Sequence, residues 1–368
     1  MPGVLKSLQR TELSACDASA SFLQSGFWGG FKARFGWEAL AFKIVWDGGA
    51  CENGESEGGI VTPLLVLCSR IGPGISFAYV PWGPEFPAGL YADDEERWAA
   101  LKTLAVSLKE SLLGKLSRKI AFIRFDPPWY SSGALEVSRF LPPHPFIRAG
   151  ADIQPPDTVL VDLNESMESI AAQMKPKWRY NARLALKKGV TISRAGPEKL
   201  DNFYTLLKET ARRDGIAIHS IEYYRALFEE SPPSCVSLYL AEHEGDLLAG
   251  IVTLFRGREA VYLYGASSDK KRNLMAPYAL QMKAMEDAKG AGCEVYDLFG
   301  IPPGEDPNHP MAGLYRFKTG FGGRIVHRPG SWDYPCRPLI YRSFRLAETF
   351  RKNLRTLKKN LKKPRREN

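Results

Sequence analysis

A long apolar run is the first thing missing from this sequence. The longest, Ile60–Cys68, is broken by Thr62 and Pro63 and falls far short of the ~20 residues that span a bilayer as a helix. Leu13-Ser14-Ala15-Cys16 imitates a lipoprotein cleavage box, yet Val4–Glu12 just before it carries Lys6, Arg10 and Glu12 where that processing needs an apolar stretch. Paired cysteines are missing too. Cys16, Cys51, Cys68, Cys235, Cys293 and Cys336 stand far apart with no C-x-x-C, and the five histidines are not at ligand spacing from them. No zinc site, other metal centre or disulfide framework is therefore expected, and scattered thiols suit a reducing compartment. A soluble, cytoplasmic chain follows as the expectation.

Charge is scarce in a less obvious way. The net charge is +9, but residues 351–368 hold nine Lys or Arg against one Glu, which leaves only +1 for everything before them. Attraction to a polyanion must come from local clusters or from this tail, because the body of the protein has little field of its own.

What is present is enough for about two domains: 368 residues, 44% hydrophobic and 11% aromatic. Ala39–Trp46, Ile60–Ser69 and Ile75–Val80 read as short strands, separated by a Gly/Glu turn at Asp47–Gly59 and a Gly-Pro-Gly turn. A helix, Asp93–Leu116, and a strand, Lys119–Phe125, then close on Asp126-Pro127-Pro128. The order recurs in Cys235–Glu242, Leu247–Arg256, Ala260–Ala266, the helix Leu274–Gly290 and the strand Cys293–Phe299, which closes on Ile301-Pro302-Pro303. Two copies of one α/β unit are expected, 1–150 and 151–335, joined by the Pro-rich Leu141–Pro156. The C-terminal part of the second is free to pack back on the first, and 336–368 reads as a basic amphipathic helix and tail. Asp162-Leu163-Asn164 is expected to cap a helix at Ser166–Gln173, and Pro176 to break it before a second helix ending at Gly189.

The unit resembles the GNAT acyltransferase fold, which implies an acyl donor held where central strands splay. Such folds hold coenzyme A on a glycine-rich helix start, where backbone N–H groups converge on phosphate. Here that place reads Lys271-Arg272-Asn273-Leu274-Met275-Ala276-Pro277, without the glycines. A different donor is expected.

Three further stretches carry chemistry. Lys175–Lys188 contains Lys175, Lys177, Arg179, Arg183, Lys187 and Lys188 with no acidic residue, and a helix would align Arg179, Arg183 and Lys187 beside Trp178 and Tyr180. Unbroken positive sign with interleaved aromatics suits phosphate contact, while a solvated face is the plainer alternative. Tyr262-Leu263-Tyr264-Gly265-Ala266-Ser267 ends a strand where the fold would splay. Gly313-Leu314-Tyr315-Arg316-Phe317-Lys318-Thr319-Gly320-Phe321-Gly322-Gly323 sets one lysine among rings and glycines, an arrangement able to hold an amine in a partly dry site.

In this order and spacing, Met174–Arg183, Tyr262–Ser267 and Gly313–Gly323 resemble the Fem family. The resemblance implies a tRNA-dependent aminoacyl transferase that adds an amino acid to the side-chain amine of residue three of a muropeptide precursor, UDP-linked or lipid-linked. It implies no cofactor, aminoacyl-tRNA being a co-substrate, and a monomer. Lys318 carries over as the essential lysine, a preorganised cation beside the developing oxyanion. Phe22-Leu23-Gln24-Ser25, Trp28, Phe31-Lys32 and Gly36-Trp37 resemble the family's N-terminal signature and point to Lys32 as a contact to the acceptor diphosphate. Thr210–Gly215 points to Arg213, or Arg212 beside it, as the second. Tyr264 resembles the active-site tyrosine, and Asp126, at the matching strand end of the first unit, is a candidate to hold the acceptor amine or to act as a proton acceptor. Lys175, Lys177, Arg179 and Arg183 are the expected tRNA contacts. No Ser/His/Asp or Cys/His arrangement is readable, so direct transfer is expected.

Only Leu200–Glu230 lies between the basic segment and Cys235, room for two helices, so no coiled-coil arm is expected and the chain resembles the compact FemX-like branch. Pro302–Gly313 could act as a lid or as an inert connection. After Trp332-Asp333-Tyr334-Pro335, the residues Phe344, Ala347, Phe350 or Leu354, Leu357 and Leu361 recur at helical spacing among cations, a pattern able to dock on a core, lie on the anionic inner membrane leaflet or touch tRNA. A coenzyme A dependent N-acyltransferase and a non-catalytic membrane or RNA tether remain as alternatives.

Overall fold

The computed structural model describes residues 4–47, 59–91, 93–113, 119–129 and 144–361, the last helix by its backbone alone beyond Leu354. The turn expected at 48–58, Cys51, residues 114–116 of the first long helix, residues 141–143 of the linker and the basic residues after 361 lie outside these.

The first unit comprises β1 (Leu5–Thr11), α1 (Gly26–Ala33), β2 (Glu38–Trp46), β3 (Ile60–Gly72), β4 (Ile75–Val80), α2 (Asp94–Leu113), β5 (Lys119–Phe125) and β6 (Ile147–Arg148). The second comprises β7 (Asp157–Asp162), α3 (Met167–Gln173), α4 (Pro176–Lys187), β8 (Thr191–Ala195), α5 (Leu200–Asp214), α6 (Ile221–Glu230), β9 (Val236–His243), β10 (Asp246–Arg256), β11 (Glu259–Ser267), α7 (Ala276–Gly290), β12 (Val295–Asp297), α8 (Ala312–Thr319) and β13 (Arg324–His327). β14 (Trp332–Pro335) and α9 (Pro338–Leu361) end the described chain.

Each unit is a seven-stranded sheet, ordered β1-β2-β3-β4-β5-β14-β6 and β13-β7-β12-β11-β10-β9-β8. The repeated part is an antiparallel meander, a crossover helix and a parallel strand: β2-β3-β4-α2-β5 in one, β9-β10-β11-α7-β12 in the other. An antiparallel strand then covers the parallel one, β14 over β5 and β7 over β12. β14 follows the whole second unit in sequence yet completes the first sheet, a long-range pairing that no local pattern encodes.

Local signals explain most boundaries. Asp93 Oδ1 accepts from Glu96 N at 3.0 Å at the start of α2, and Trp98, Leu101, Leu104, Leu108 and Leu112 of that helix are buried at helical spacing under the first sheet. α5 ends on Gly215 at φ +65°, a left-handed stop. α3 is capped by Ser166, whose Oγ accepts from Ser169 N; Asp162 instead accepts from Asn164 N and turns the loop before it. The strand expected over Cys293–Phe299 is shorter, Val295–Asp297, because Phe299 adopts φ +58° and leaves the sheet. α7 begins at Ala276 rather than Leu274 because Met275 is left-handed.

The two units share a core. Phe22, Phe27, Trp28 and Phe31 around α1 pack in one cluster with Phe203, Leu207, Tyr223, Tyr224 and Leu227 of α5 and α6. Arg256 of β10 donates to Ser19 O at 3.2 Å and Asp17 O at 2.7 Å, and Arg34 bridges to Glu229 at 2.7 Å. Apolar burial of this extent fixes the two sheets relative to each other.

Candidate active site

β11 pairs in parallel with β12 only through Glu259, Ala260 and Val261, and from Tyr262 onward the two strands part. At the same point Tyr264 faces Val252 and Tyr262 faces Thr253 across β10, so Leu263 is the extra residue of a β-bulge. A bulge breaks the two-residue alternation of a strand. Tyr262 consequently packs with Phe317 and Phe321, whereas Tyr264 and Leu263 pack with Tyr223 and Tyr224. A Cβ at Gly265 would displace the Tyr262 hydroxyl, which occupies that space.

Lys318 reaches into this opening from α8. It is 6% exposed, and its Nζ donates to Phe299 O at 3.2 Å and Gly300 O at 2.9 Å, 5.3 Å from the Tyr262 ring centre. Burial disfavours the charged ammonium and lowers its pKa to about 7, with the Asp297 carboxylate opposing the shift. Asp297 also builds the cradle. Its Oδ1 accepts from the Phe299 N–H at 2.7 Å and from the Thr158 hydroxyl, holding the left-handed Phe299 so that two successive carbonyls face Nζ. A lysine with a pKa near neutrality in an opened sheet can take up and release a proton during a reaction.

The basic segment meets the same helix. Lys175 N donates to Gly320 O at 2.9 Å, and Trp178 Nε1 donates to Phe317 O at 2.8 Å, with the indole lying where a Cβ on Gly320 would sit. Trp178 is thus a lock between α4 and α8. Arg179 turns away from the expected stripe and donates to Ala171 O and Ala172 O, closing the end of α3. Lys175, Lys177, Arg183, Lys187 and Lys188 are exposed, as is Tyr180.

Lys32 lies elsewhere in an aromatic enclosure, its Nζ 5.7 Å from the Trp28 ring, 5.9 Å from Phe31, 5.6 Å from Trp37 and 5.5 Å from Tyr223. Burial lowers its pKa, and its charge together with burial lowers that of His219, which stacks on Tyr223 at 3.8 Å. Tyr223 hydrogen-bonds Tyr264, and Tyr224 meets the Tyr264 ring edge-on at 5.1 Å. Lys32 and Tyr264, far apart in sequence and on different units, therefore share one cluster. Tyr223, Tyr224 and His219 are members that sequence reasoning missed; the only available signal was an aromatic pair on an otherwise ordinary amphipathic helix.

Arg213 donates to Ser267 O at 2.8 Å, at the end of β11, and bridges Asp214 and Asp269 at 2.9 and 3.2 Å. Arg212 beside it is exposed. Asp126 is 3% exposed, accepts from the Tyr79 and Ser331 hydroxyls and from Gln154 N at 3.3 Å, and burial raises its pKa to about 6. These bonds commit the carboxyl to the junction of β4, β5 and the segment leading into β14. Pro302–Gly313 is a largely exposed connection into α8, with His309 Nδ1 accepting from Met311 N at 3.1 Å inside it. Among the described residues no group of His, Cys, Asp and Glu is arranged to hold a metal ion, and no helix is long and apolar enough to cross a membrane.

Comparison with known proteins identifies a family and a fold. The family model described as "FemAB family" matches residues 145–246 and 234–349. Lipid II:glycine glycyltransferases are similar in sequence: that of Staphylococcus saprophyticus is 23% identical over 251 residues, 51% of this chain and 60% of the relative. That of Staphylococcus aureus is 24% identical over 256 residues, 51% of this chain and 61% of the relative. The chain thus spans less than two thirds of the length of these curated relatives. The crystal structure of FemX superposes with a TM-score of 0.73 at 20% identity, covering 91% of this chain and 99% of that one. Among the described residues the architecture is the expected tandem α/β one, without a coiled-coil arm.

Proposed function

The chain belongs to the FemAB family, and from that membership we propose that it is a non-ribosomal aminoacyl transferase. It moves an amino acid from aminoacyl-tRNA to the side-chain amine of residue three of a lipid-linked muropeptide, beginning an interpeptide bridge. The lipid-linked acceptor is favoured over the UDP-linked one because the similar glycyltransferases are named for lipid II. The observation that carries the reading is the amine of Lys318, held by two carbonyls at the mouth of a parted sheet with a pKa of about 7.

The acceptor amine attacks the ester carbonyl, and the new C–N bond leaves a tetrahedral oxyanion. Neutral Lys318 takes the proton that the attacking nitrogen must lose. The ammonium so formed then stands beside the oxyanion and returns the proton to the ribose oxygen as the C–O ester bond breaks. Charge and proton are balanced within one residue, without a covalent enzyme intermediate. Lys32 in its aromatic enclosure and Arg213 at the end of β11 are the proposed contacts to the acceptor diphosphate, next to Tyr264, with Arg212 at the margin. The exposed cations of α4, Lys175, Lys177 and Arg183, are the proposed tRNA contacts, linked to Lys318 through the α4–α8 lock.

Coenzyme A suits this scaffold poorly. The helix start that would take its pyrophosphate holds Lys271 and Met275 in left-handed conformations, Pro277 in the first turn, and Leu274 and Met275 N–H groups already bonded to Lys271 O and Arg272 O. The test is incubation of purified protein with charged tRNA and either acceptor, followed by mass analysis of the muropeptide. A mass increase of one aminoacyl residue is expected with lipid II. Turnover of acetyl-coenzyme A with no aminoacyl product from any charged tRNA would sink the reading.

A further inference from the structure

We propose that the outward face of α9 is a docking surface for an anionic lipid bilayer, holding the protein flat on a membrane without crossing it. The helix has two apolar faces. The inner one is occupied: Tyr341 is buried, its ring and that of Phe344 lie 5.3 and 4.9 Å from the Phe122 ring of β5, and Tyr341 Oη donates to Asp333 at 3.0 Å. Arg345 on the same side donates to Arg148 O at 2.9 Å and pairs with Glu348. Phe344, which the sequence assigned to the helix's single apolar stripe, is therefore spent on the protein's own core.

The opposite side carries Leu339, Leu346, Phe350 and Leu354, which are 77%, 72%, 65% and 40% exposed. Their spacing of seven, four and four residues gathers them on one line of the helix, and a rotation of about 100° per residue sets that line across from Tyr341 and Phe344. A continuous line of large apolar side chains facing away from the core of its own protein marks an interaction surface.

Charge identifies the occupant. The helix holds seven Lys or Arg and one acidic residue, and residues 351–368 carry +8 of the whole chain's +9. Exposed leucines enter the acyl boundary of a bilayer while flanking cations such as Arg342 and Arg351 meet anionic headgroups, so one helix satisfies both forces. RNA would use the cations but has no counterpart for leucine side chains, which do not stack on bases. A second copy of the chain would bring like charge against like charge. The proposal stands independently of the transferase reading, although a membrane-held enzyme would meet a lipid-linked acceptor where it resides.

The experiment is cosedimentation of the full chain with vesicles of phosphatidylcholine alone or mixed with phosphatidylglycerol, across a salt series. Binding to the anionic vesicles is expected to be at least about tenfold stronger and to weaken with salt, by about fivefold for each of Arg342→Ala and Arg351→Ala. Leu346→Glu/Phe350→Glu should remove binding without lowering the melting temperature, since both side chains are exposed. Equal binding to both vesicles, or full binding by the double variant, overturns the proposal. So does a dimer, or a tRNA complex, that this variant abolishes while vesicle binding persists, because the face would then belong to that partner.

Discussion

The two units repeat one topology and treat its weakest point in opposite ways. In the first, β4 and β5 pair as far as Val80 and Phe125, and the line continues with Asp126 N to Val80 O and Gly83 N to Asp126 O, both 3.1 Å. A buried carboxyl then gathers Tyr79, Ser331 and Gln154 across the end. In the second, pairing stops at Val261 and Asp297, a bulge turns Tyr262 and Tyr264 apart, and a buried lysine fills the opening. The same strand end is a stitched joint in one unit and an opening around a buried amine in the other. In the proposed function, stability and chemistry are thereby carried by different units.

The widest separation between the copies comes from Lys318→Ala. Transfer should fall by about 10²–10⁴-fold, the usual loss when a proton-transfer group is removed, while the melting temperature holds or rises. Lys318→Arg should be nearly as poor, because a guanidinium stays charged and cannot shuttle the proton; an arginine variant with near-normal rates would reduce the residue to a fixed cation. Asp126→Ala is the mirror experiment. It strips the acceptor from two hydroxyls and one N–H, so chemical denaturation should show a loss of about 2 kcal/mol, with activity per folded molecule largely kept. Collapse of kcat in a well-folded Asp126→Ala would give the first unit a share of the chemistry.

Smaller effects sharpen the contrast. Asp297→Asn keeps an oxygen for Phe299 N–H but removes the charge that raises the Lys318 pKa, so the rise of kcat/KM with pH through about 7 should move to lower pH. For stability the sign follows from proton counts. Between the folded value of about 7 and the ordinary lysine value of 10.5 the unfolded chain binds the extra proton, so this residue makes stability increase with pH across that window. Lys318→Met should flatten that part of a pH series of denaturation curves. The least effect is expected from Lys177→Ala or Arg183→Ala, each lowering the slope of log affinity for tRNA against log salt by about 0.7–0.9.

Periodicity and turn residues made the meanders, both crossover helices and the long terminal helix legible, since those signals depend on neighbours in sequence. The Lys318 motif was legible for a related reason: rings and glycines crowd within a few positions of it. β14 was legible only as a C-terminal part free to pack back on the first unit; its pairing was not, because its partners β5 and β6 lie some two hundred residues earlier. The aromatic enclosure around Lys32 was only half visible, with Trp28, Phe31 and Trp37 beside it in sequence and Tyr223 and His219 arriving from the other unit. The contacts of Trp178 and Arg179 were not legible for the same cause. A pattern shows that they share a segment with cations, but whether each side chain meets water or a backbone carbonyl depends on α8 and α3.

By itself the sequence determined the strands of the two meanders, both crossover helices and the terminal helix, that two like units follow one another, and which lysine stands among rings and glycines. All of these are set by local spacing and side-chain type. Only the tertiary structure decided that Asp126 is bonded to two hydroxyls while the Lys318 amine meets two carbonyls, that Lys32 and Tyr264 belong to one cluster, and that α9 has a second, exposed apolar side. Burial, proton affinity and exposure are properties of what packs against a residue, and here those neighbours come from the opposite unit or from distant strands.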